Sequence, residues 1–290
     1  MIRGEIDSHS DEIIRLYIEA NMTMLEIAKK FDSNKKSISR IIKNNGIEVK
    51  RYKRVYSSFY KQILSERQKE ILIGSLLGDG CVSKHHEGIN SCRYIETHSI
   101  DQIDYALWKY NEFKNFISND YRIIDKKYEK SYKGSKPSVF FETMLNKEFV
   151  LFYEKFYPKG EKKVPSDIES ILSPLSLAVW YMDDGSIDKK TGVMRISTYS
   201  FDENQINILI EALSNKYDLH LTKIHTEKGI VIQLCKSQSN KMINLIEKHI
   251  LPSMTYKINP YNNPAETEAK AEGYLSEMID GQHAQLLPCL

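Results

Sequence analysis

Two stretches of similar sequence constrain the fold of this chain more than any other feature. They are Leu72-Ile-Gly-Ser-Leu-Leu-Gly-Asp79-Gly80 and Leu177-Ala-Val-Trp-Tyr-Met-Asp-Asp184-Gly185. Each is an apolar run with the composition of a buried helix, and each ends abruptly in Asp-Gly, a dipeptide that commonly ends helices or forms turns. The two aspartates lie 105 residues apart (184 minus 79). The repetition predicts that one fold occurs twice in the chain.

The order of predicted elements is the same in both copies. Periodicity and turn residues predict the α+β class, with two pseudo-symmetric αββαββα repeats at 66–168 and 169–262. The first copy is predicted to contain a helix at 66–79, strands at 81–84 and 91–98, a helix at 101–118, a hairpin at 121–144 and a helix at 146–157. The second is predicted to contain a helix at 173–184, a turn that holds its first strand, a strand at 193–199, a helix at 202–217, a hairpin at 219–236 and a helix at 238–250.

Alternation along the predicted strands divides each of them into two faces. In 193–199 one face is apolar, and Arg195, Ser197 and Tyr199 share the other. Gln233 occupies the corresponding polar face of the second hairpin. In the first copy the even positions of 92–98 are Cys92, Tyr94, Glu96 and His98. One face of each sheet is expected to pack under helices, and the other is polar and aromatic; simple exposure to solvent explains that second face equally well.

Residues 1–50 are predicted to form a separate domain of three short helices. Helix, short turn and helix, with a cationic second helix, is the pattern of a helix-turn-helix. Leu25-Glu-Ile-Ala-Lys-Lys-Phe31 resembles the small DNA-binding module of site-specific recombinases. A plain three-helix bundle is the alternative. The resemblance predicts DNA contacts from the exposed side of the last helix: Lys35, Lys36, Ser37, Ser39 and Arg40.

Charge is unevenly distributed, although the chain carries only a net charge of +2. Ten Lys and Arg residues lie between Lys29 and Arg54, where the only acids are Asp32 and Glu48. A basic block of this kind favours nucleic acid as a partner, though a solvated helix would look similar. Residues 51–65 are predicted to form a basic linker. Residues 263–290 form an acidic tail to which no role is assigned.

Composition excludes several other classes. The four cysteines lack C-x-x-C spacing, which favours reduced thiols over zinc ligands or disulfides. No apolar run approaches the roughly 18 residues that a membrane helix needs, and no signal-like segment begins the chain. We therefore expect an intracellular protein, in a bacterial or phage-host cytoplasm or an organelle matrix.

The repeated Asp-Gly predicts a metal site between the two copies. If the copies are related by a pseudo-dyad and the two apolar helices pack side by side, Asp79 and Asp184 become neighbours. Two carboxylates at the negative ends of helix dipoles repel each other unless a cation lies between them. Oxygen ligands suit Mg²⁺ or Mn²⁺, and such ions promote phosphodiester hydrolysis.

A lysine beside each metal could stabilise the charge that develops on the phosphate. Lys163 stands five residues after Pro158, and Lys257 stands five residues after Pro252. This equivalence makes Lys163 and Lys257 the candidates, with the adjacent Lys162 as a rival to Lys163.

The segments Trp180-Tyr-Met-Asp-Asp-Gly-Ser186, Lys162-Lys-Val-Pro165 and Leu251-Pro-Ser-Met-Thr-Tyr-Lys257 resemble the LAGLIDADG homing endonucleases, in particular the single-chain, two-repeat enzymes encoded in group I introns. The resemblance covers roughly 66–260. It implies a monomer that cleaves double-stranded DNA, with Asp79 and Asp184 as metal ligands and the two lysines as active-site residues. It also implies a saddle whose polar strand faces enter the major groove. The implied base contacts are Tyr94, Glu96, His98, Arg195, Ser197, Tyr199 and Gln233.

Two further functions remain open. One is an intron RNA maturase on the same scaffold, with the nuclease idle, and the other is a transcription regulator that only binds DNA. Two aspartates and two lysines at matching positions favour the nuclease, because DNA binding alone does not need acids on a surface that faces phosphates.

Overall fold

The computed structural model describes residues 6–20, 22, 24–47, 61–84, 90–125 and 136–259. The chain divides into two compact units, Met1–Tyr56 and Ser57–Leu290. The acidic tail at 263–290 and residues 51–60 of the predicted linker lie outside the described residues. Within the described ranges, no helix is long and apolar enough to cross a membrane.

The described part of the first unit contains three helices: α1 (Ser10–Ile18), α2 (Met24–Lys30) and α3 (Lys35–Asn44). The chain turns after α2 at Asp32, whose φ is 44°, and the Ser37 amide then donates to Asn34 Oδ1 at 2.9 Å. This contact caps α3. Gly46, at φ 71°, follows α3 in a left-handed conformation that costs glycine little. The helices bury one apolar core: Ile6, Ile13, Tyr17, Ile27, Ala28, Phe31, Ile38, Ile41 and Ile42.

The three helices lie where the sequence predicts them, and a helix-turn-helix role in DNA binding stays a prediction. Lys35 and Lys36 are exposed, whereas Ser37 and Ser39 are half-buried. The Arg40 guanidinium forms an ion pair with Asp7 at 2.5 Å.

The second unit contains two copies of one topology, which confirms the predicted α+β fold. The first copy consists of α4 (Glu66–Leu77), β1 (Cys81–Lys84), β2 (Cys92–Ser99), α5 (Ile103–Glu112), β3 (Arg122–Ile124), β4 (Ser138–Glu142) and α6 (Val150–Phe156). A 3₁₀ helix at Pro158–Gly160 follows it, and the short α7 (Ile168–Ile171) leads to the second copy. The four strands form an antiparallel sheet in the order β1-β2-β4-β3.

The second copy consists of α8 (Pro174–Asp184), β5 (Gly185–Ile187), β6 (Met194–Ser197), α9 (Glu203–Tyr217), β7 (Leu221–Thr226), β8 (Gly229–Leu234) and α10 (Lys236–Ile246). A 3₁₀ helix at Pro252–Lys257 follows it. Its sheet has the order β5-β6-β8-β7, which repeats the order of the first sheet strand for strand. The first strand of this copy, left within a turn by the sequence, is β5.

Helices α4 and α8 pack against each other at the centre of the second unit. Ser65 and Gln68 form a capping box at the start of α4, and Ser173 caps α8 ahead of Pro174. Residues 175–182 of α8 are all buried, which explains why this helix is apolar on every side. Both helices belong to the large core that joins the two copies.

Glycine permits the close approach of these helices. A Cβ at Gly74 would lie 2.3 Å from the Ser176 carbonyl oxygen and 2.7 Å from Val179 Cβ. A Cβ at Gly78 would lie 2.5 Å from the Asp183 side chain. Since backbone and a buried helix cannot yield easily at such distances, any side chain at either position forces the helices apart.

We expect Gly74→Ala to lower the free energy of unfolding of the second unit by about 2–3 kcal/mol, because the added methyl overpacks a backbone contact. Urea unfolding followed by circular dichroism measures this change. Lys69→Ala, on an outer part of the same helix, is the control and should stay within about 0.5 kcal/mol of the wild type. Equal stability of Gly74→Ala and wild type would show that the helices are not packed this closely.

Candidate functional site

The site lies where α4 and α8 end side by side. The Asp79 amide donates a hydrogen bond to Asp183 Oδ2 at 3.2 Å, which ties the end of the first stretch to the end of the second. The Asp79 side chain is 45% exposed, so the site opens to solvent. Asp184 is the last residue of α8 and half-buried. The structure therefore brings the two predicted aspartates into one site.

The Asp184 carboxylate stands in an environment that disfavours its charge. Burial raises its pKa to about 7, and the negative charges of Asp79 and Asp183 act in the same direction. Lys162 and Lys257 oppose the rise only in part. A bound cation would supply the positive charge that this carboxylate lacks and would favour its ionised form. The raised pKa of Asp184 is therefore what we expect of a carboxylate in a cation site.

Lysines hold the two helix ends in the same way. Lys162 Nζ donates to the Gly78 carbonyl oxygen at 2.6 Å. Lys257 Nζ donates to the Asp183 carbonyl oxygen at 2.9 Å, and also to that of Met182. Each lysine thus binds the residue that precedes one of the aspartates. Burial lowers the pKa of both lysines, and the surrounding aspartates partly offset this effect.

Lys163, predicted as the counterpart of Lys257, lies outside this arrangement. Its Nζ is 3.5 Å from Glu161 and 4.0 Å from Asp202, and its side chain is 38% exposed. The two loops differ because the 3₁₀ helix in the second copy runs unbroken over Pro252–Lys257, whereas Lys159 adopts φ 61° in the first. Lys162 reaches the site, at the Gly78 carbonyl oxygen, and Lys163 does not.

A buried ionic cluster beneath the site was not predicted. Lys109 Nζ lies 3.0 Å from Asp183 Oδ1 and 2.8 Å from Glu96 Oε1, and all three side chains are fully buried. Tyr105 donates to Asp183 Oδ1 at 2.7 Å, and His98 Nε2 is 3.0 Å from Glu96 Oε2. The sequence feature that could have predicted the cluster is the position of Lys109, which shares one helix face with buried Tyr105 and other core residues.

Charges inside this cluster compensate one another. Burial opposes the charge on Lys109, but the Asp183 and Glu96 carboxylates outweigh it and raise its pKa. Burial also opposes the charge on Glu96, and Lys109 with His98 nevertheless holds its pKa below the ordinary value. For Asp183, burial raises the pKa, and Lys109 reduces the rise.

The prediction that Tyr94, Glu96 and His98 contact DNA bases is wrong, because all three side chains face the core. They are 0%, 1% and 3% exposed. The alternation along β2 was correct, but the inward face was assigned to solvent. Glu96 is tolerated inside because Lys109, Tyr94 and His98 surround its carboxylate. The outward positions of β2 are Arg93, Ile95, Thr97 and Ser99.

The second sheet presents the predicted residues on its outer face. Arg195 is exposed and its Nε donates to Gln233 Oε1 at 2.6 Å across the β6–β8 pair. Ser197 is half-buried, and Tyr199 is 47% exposed. These four side chains can reach a ligand that lies along the sheet, and contact with DNA bases stays a prediction.

The donor set fits a hard divalent cation. Asp79, His98 and Asp183 each offer a ligand atom within 4.8 Å of the others. Asp183 is already paired with Lys109, however, whereas Asp184 is half-buried beside two other acids and the Asp79 side chain is 45% exposed, so Asp79 and Asp184 are the candidate ligands. Carboxylate oxygens facing solvent, with room for water ligands, suit Mg²⁺ or Mn²⁺.

Fold and site together define a class: single-chain proteins of two αββαββα repeats whose acidic residues meet at paired helix ends. Residues 69–242 match the model of the LAGLIDADG DNA endonuclease family, and the chain belongs to this family.

Similarity to individual proteins agrees with that assignment. The chain is 29% identical over 217 residues to DNA endonuclease I-ChuI of Chlamydomonas applanata, across 69% of this chain and 97% of that protein. It is 28% identical over 207 residues to cytochrome b mRNA maturase bI2 of Debaryomyces hansenii, across 70% and 77%. It is 29% identical over 211 residues to protein RecA of Mycolicibacterium flavescens, across 68% of this chain and 47% of that protein, and so spans about half the length of this relative. The fold matches that of the DNA-bound homing endonuclease I-WcaI at a TM-score of 0.65 and 23% identity, across 74% and 97%.

In metal-free buffer, we expect Asp184→Asn to stabilise the protein at pH 8 by about 2 kcal/mol. The raised pKa means that ionisation of Asp184 costs free energy in the folded state. That cost is absent below the unfolded pKa near 4 and is reached in full above about 7, so the gain should shrink as the pH falls from 8 to 4. Urea unfolding at a series of pH values measures it.

Asp188→Asn is the control of opposite sign. Hydrogen bonds from Thr191 and Lys190 hold the pKa of Asp188 below its ordinary value, so its removal should destabilise the protein at pH 8. If Asp184→Asn is no more stable than wild type at pH 8, the carboxylate is not held in the environment described.

Proposed function

We propose that this chain is a divalent-metal-dependent DNA endonuclease that hydrolyses one phosphodiester bond in each strand of double-stranded DNA at a long, asymmetric site. The observation that carries the proposal is the meeting of Asp79 and Asp184 at paired helix ends, each with one lysine on the preceding carbonyl, half-buried Lys162 and buried Lys257. Binding alone does not explain this arrangement, because uncompensated carboxylates repel DNA phosphates.

In this mechanism Asp79 and Asp184 hold Mg²⁺ or Mn²⁺. A divalent ion bound there supplies an activated water and a positive charge for the leaving oxygen. Lys162 and Lys257 fix the carbonyls before each aspartate and thereby the direction of each carboxylate. Their ammonium groups also add positive charge where the phosphate becomes more negative during hydrolysis.

The outer faces of the two sheets form the DNA-binding surface in this proposal. A two-stranded β-ribbon fits the major groove, where each base pair shows a distinct set of donors and acceptors. The first sheet contributes Arg93 and Thr97, and the second contributes Arg195 and Gln233. Because the side chains of the two faces differ, the preferred DNA site is asymmetric.

Intron RNA is a second candidate ligand. It is favoured by the similarity to a maturase, which extends over 77% of that relative. The same basic and polar sheet faces could bind RNA phosphates, and RNA binding would not require the two aspartates.

We expect Asp79→Asn and Asp184→Asn each to reduce cleavage of a plasmid that carries the cognate site by about 100-fold or more, because a metal ligand is lost. The reaction is run in Mg²⁺, and gel electrophoresis then separates the supercoiled substrate from the nicked and linear products. Addition of Mg²⁺ should also raise the melting temperature of the wild type more than that of either variant. Cleavage that survives both substitutions would exclude these aspartates as metal ligands, and RNA binding without cleavage of any DNA favours the maturase function.

The adjacent lysines provide a matched pair. Lys162→Met should slow cleavage by about 100-fold, because its ammonium holds a helix end in the site. Lys163→Met should change the rate by less than about threefold, since Lys163 faces acidic surface residues. The opposite order of effects would return the role to Lys163.

For the DNA-binding surface, we expect Arg195→Ala to weaken binding of cognate DNA by about 1–3 kcal/mol and to relax selectivity at one base pair. Fluorescence anisotropy with a panel of single-base variants of the site measures both effects. Lys241→Ala, on a helix and paired with Asp218, is the control and should leave affinity nearly unchanged. Equal losses on all sequences would indicate a phosphate contact rather than a base contact.

A further inference from the structure

The buried ionic cluster beneath the site crosses from one copy of the fold to the other. Asp183 belongs to α8 of the second copy, yet its side chain contacts Lys109 and Tyr105 of the first copy. Its Oδ2 also accepts the Asp79 amide. Asp183 therefore lies inside the first copy, in the space that a side chain at Gly78 would need.

The second copy has no such cluster at the equivalent positions. Cys81 and Ser186 are equivalent because each lies two residues after an aspartate of the site. Cys81 pairs with Ile95 and Ser186 pairs with Arg195, so equivalent residues on β2 and β6 differ by 100 in number (195 minus 95). The same difference relates the buried faces of α5 and α9. Charged Glu96 and Lys109 then correspond to apolar and fully buried residues, namely Ile196 and Leu209.

This comparison separates what the fold needs from what the first copy adds. The second copy shows that the same strand and helix pack with an isoleucine and a leucine in these places. Replacement of buried ion pairs by apolar residues is often neutral or stabilising, so stability alone does not account for the cluster. Its members instead converge on one point of the site, the turn that holds Asp79.

Two contacts connect the cluster to Asp79. Asp183 Oδ2 accepts the Asp79 amide at 3.2 Å, and His98 Nδ1 lies 3.7 Å from Asp79 Oδ2. His98 Nε2 is in turn 3.0 Å from Glu96 Oε2, and Lys109 bridges Glu96 to Asp183. At the position equivalent to His98, the second copy has Thr198, which donates to the Ile230 carbonyl.

We infer that Glu96, Lys109 and Asp183, together with His98, form a positioning network that fixes the Asp79 half of the site and has no counterpart on the strand and helix of the second copy. The inference rests on the proposed nuclease function. Double-strand cleavage requires one hydrolysis per strand, and a pseudo-two-fold site presents one aspartate to each. The network therefore makes hydrolysis of one particular strand depend on residues that the other strand does not need.

The test uses two variants of the full chain and measures strand-resolved cleavage of a cognate duplex labelled differently on each strand. The triple substitution Glu96→Ile, Lys109→Leu, Asp183→Asn removes the three charges together, so that no buried charge is left without a partner. The single substitution Lys109→Met is compared with Leu209→Met, which makes the same residue at the equivalent core position of the second copy. Thermal unfolding confirms that each protein is folded.

We expect the triple variant and Lys109→Met to hydrolyse one strand about 10- to 100-fold more slowly, always the same strand, while the other changes by less than about threefold. Nicked DNA then accumulates. Leu209→Met should cleave both strands at the ratio of the wild type. Should Lys109→Met fail to fold, the triple variant alone decides.

Equal slowing of both strands, or wild-type rates on both, in the folded triple variant would overturn the positioning role. A wild type that cleaves neither strand of any DNA that it binds refutes the proposed nuclease function instead. The two failures are distinguishable because the first requires an active wild type.

Discussion

The contact between α4 and α8 is the interaction on which the rest of the second unit depends. It joins the two copies in one hydrophobic core, and its closeness is set by two glycines opposite Ser176, Val179 and Asp183. The same contact brings two helix C-termini together, which concentrates partial negative charge at one point. Packing and the candidate site are therefore linked, since the approach that buries the helices also brings Asp79 and Asp184 together.

The distribution of charge in the site separates the roles of its three aspartates. The Asp183 side chain is fully buried and paired with Lys109, which compensates its charge in part. Lys162 and Lys257 donate to backbone carbonyls and not to the carboxylates of Asp79 and Asp184. Their positive charge lies near the Asp79 and Asp184 carboxylates, but neither lysine forms a direct ion pair with them. In the proposed function this leaves both carboxylates available to a divalent ion, whereas direct lysine–aspartate pairs would compete with it.

Much of this architecture could be predicted from the sequence because repetition is visible in it. The two Asp-Gly stretches located both helices, and period-two alternation separated the strand faces. Alternation does not show which face is inside, however. Glu96 and His98 are predicted on the surface because the sequence does not show that Lys109, 13 residues after Glu96, binds the Glu96 carboxylate. The choice between Lys162 and Lys163 depends on the local path of the chain after Tyr157, where Lys159 and Gly160 both have a positive φ, and spacing cannot show that path.

The asymmetry of the second unit follows from joining both copies in one chain. Two identical subunits must share every substitution, but here each position can change on its own. The consequences reach both the surface and the core. The outer face of β2 carries Arg93 and Thr97, whereas β6 carries Arg195 and Ser197, so the two sheets present different donors to a groove. Inside, Glu96 and Lys109 stand where the second copy has Ile196 and Leu209. In the proposed function, differences on the surface alter which bases are bound, whereas the difference beneath Asp79 acts through the position of that residue.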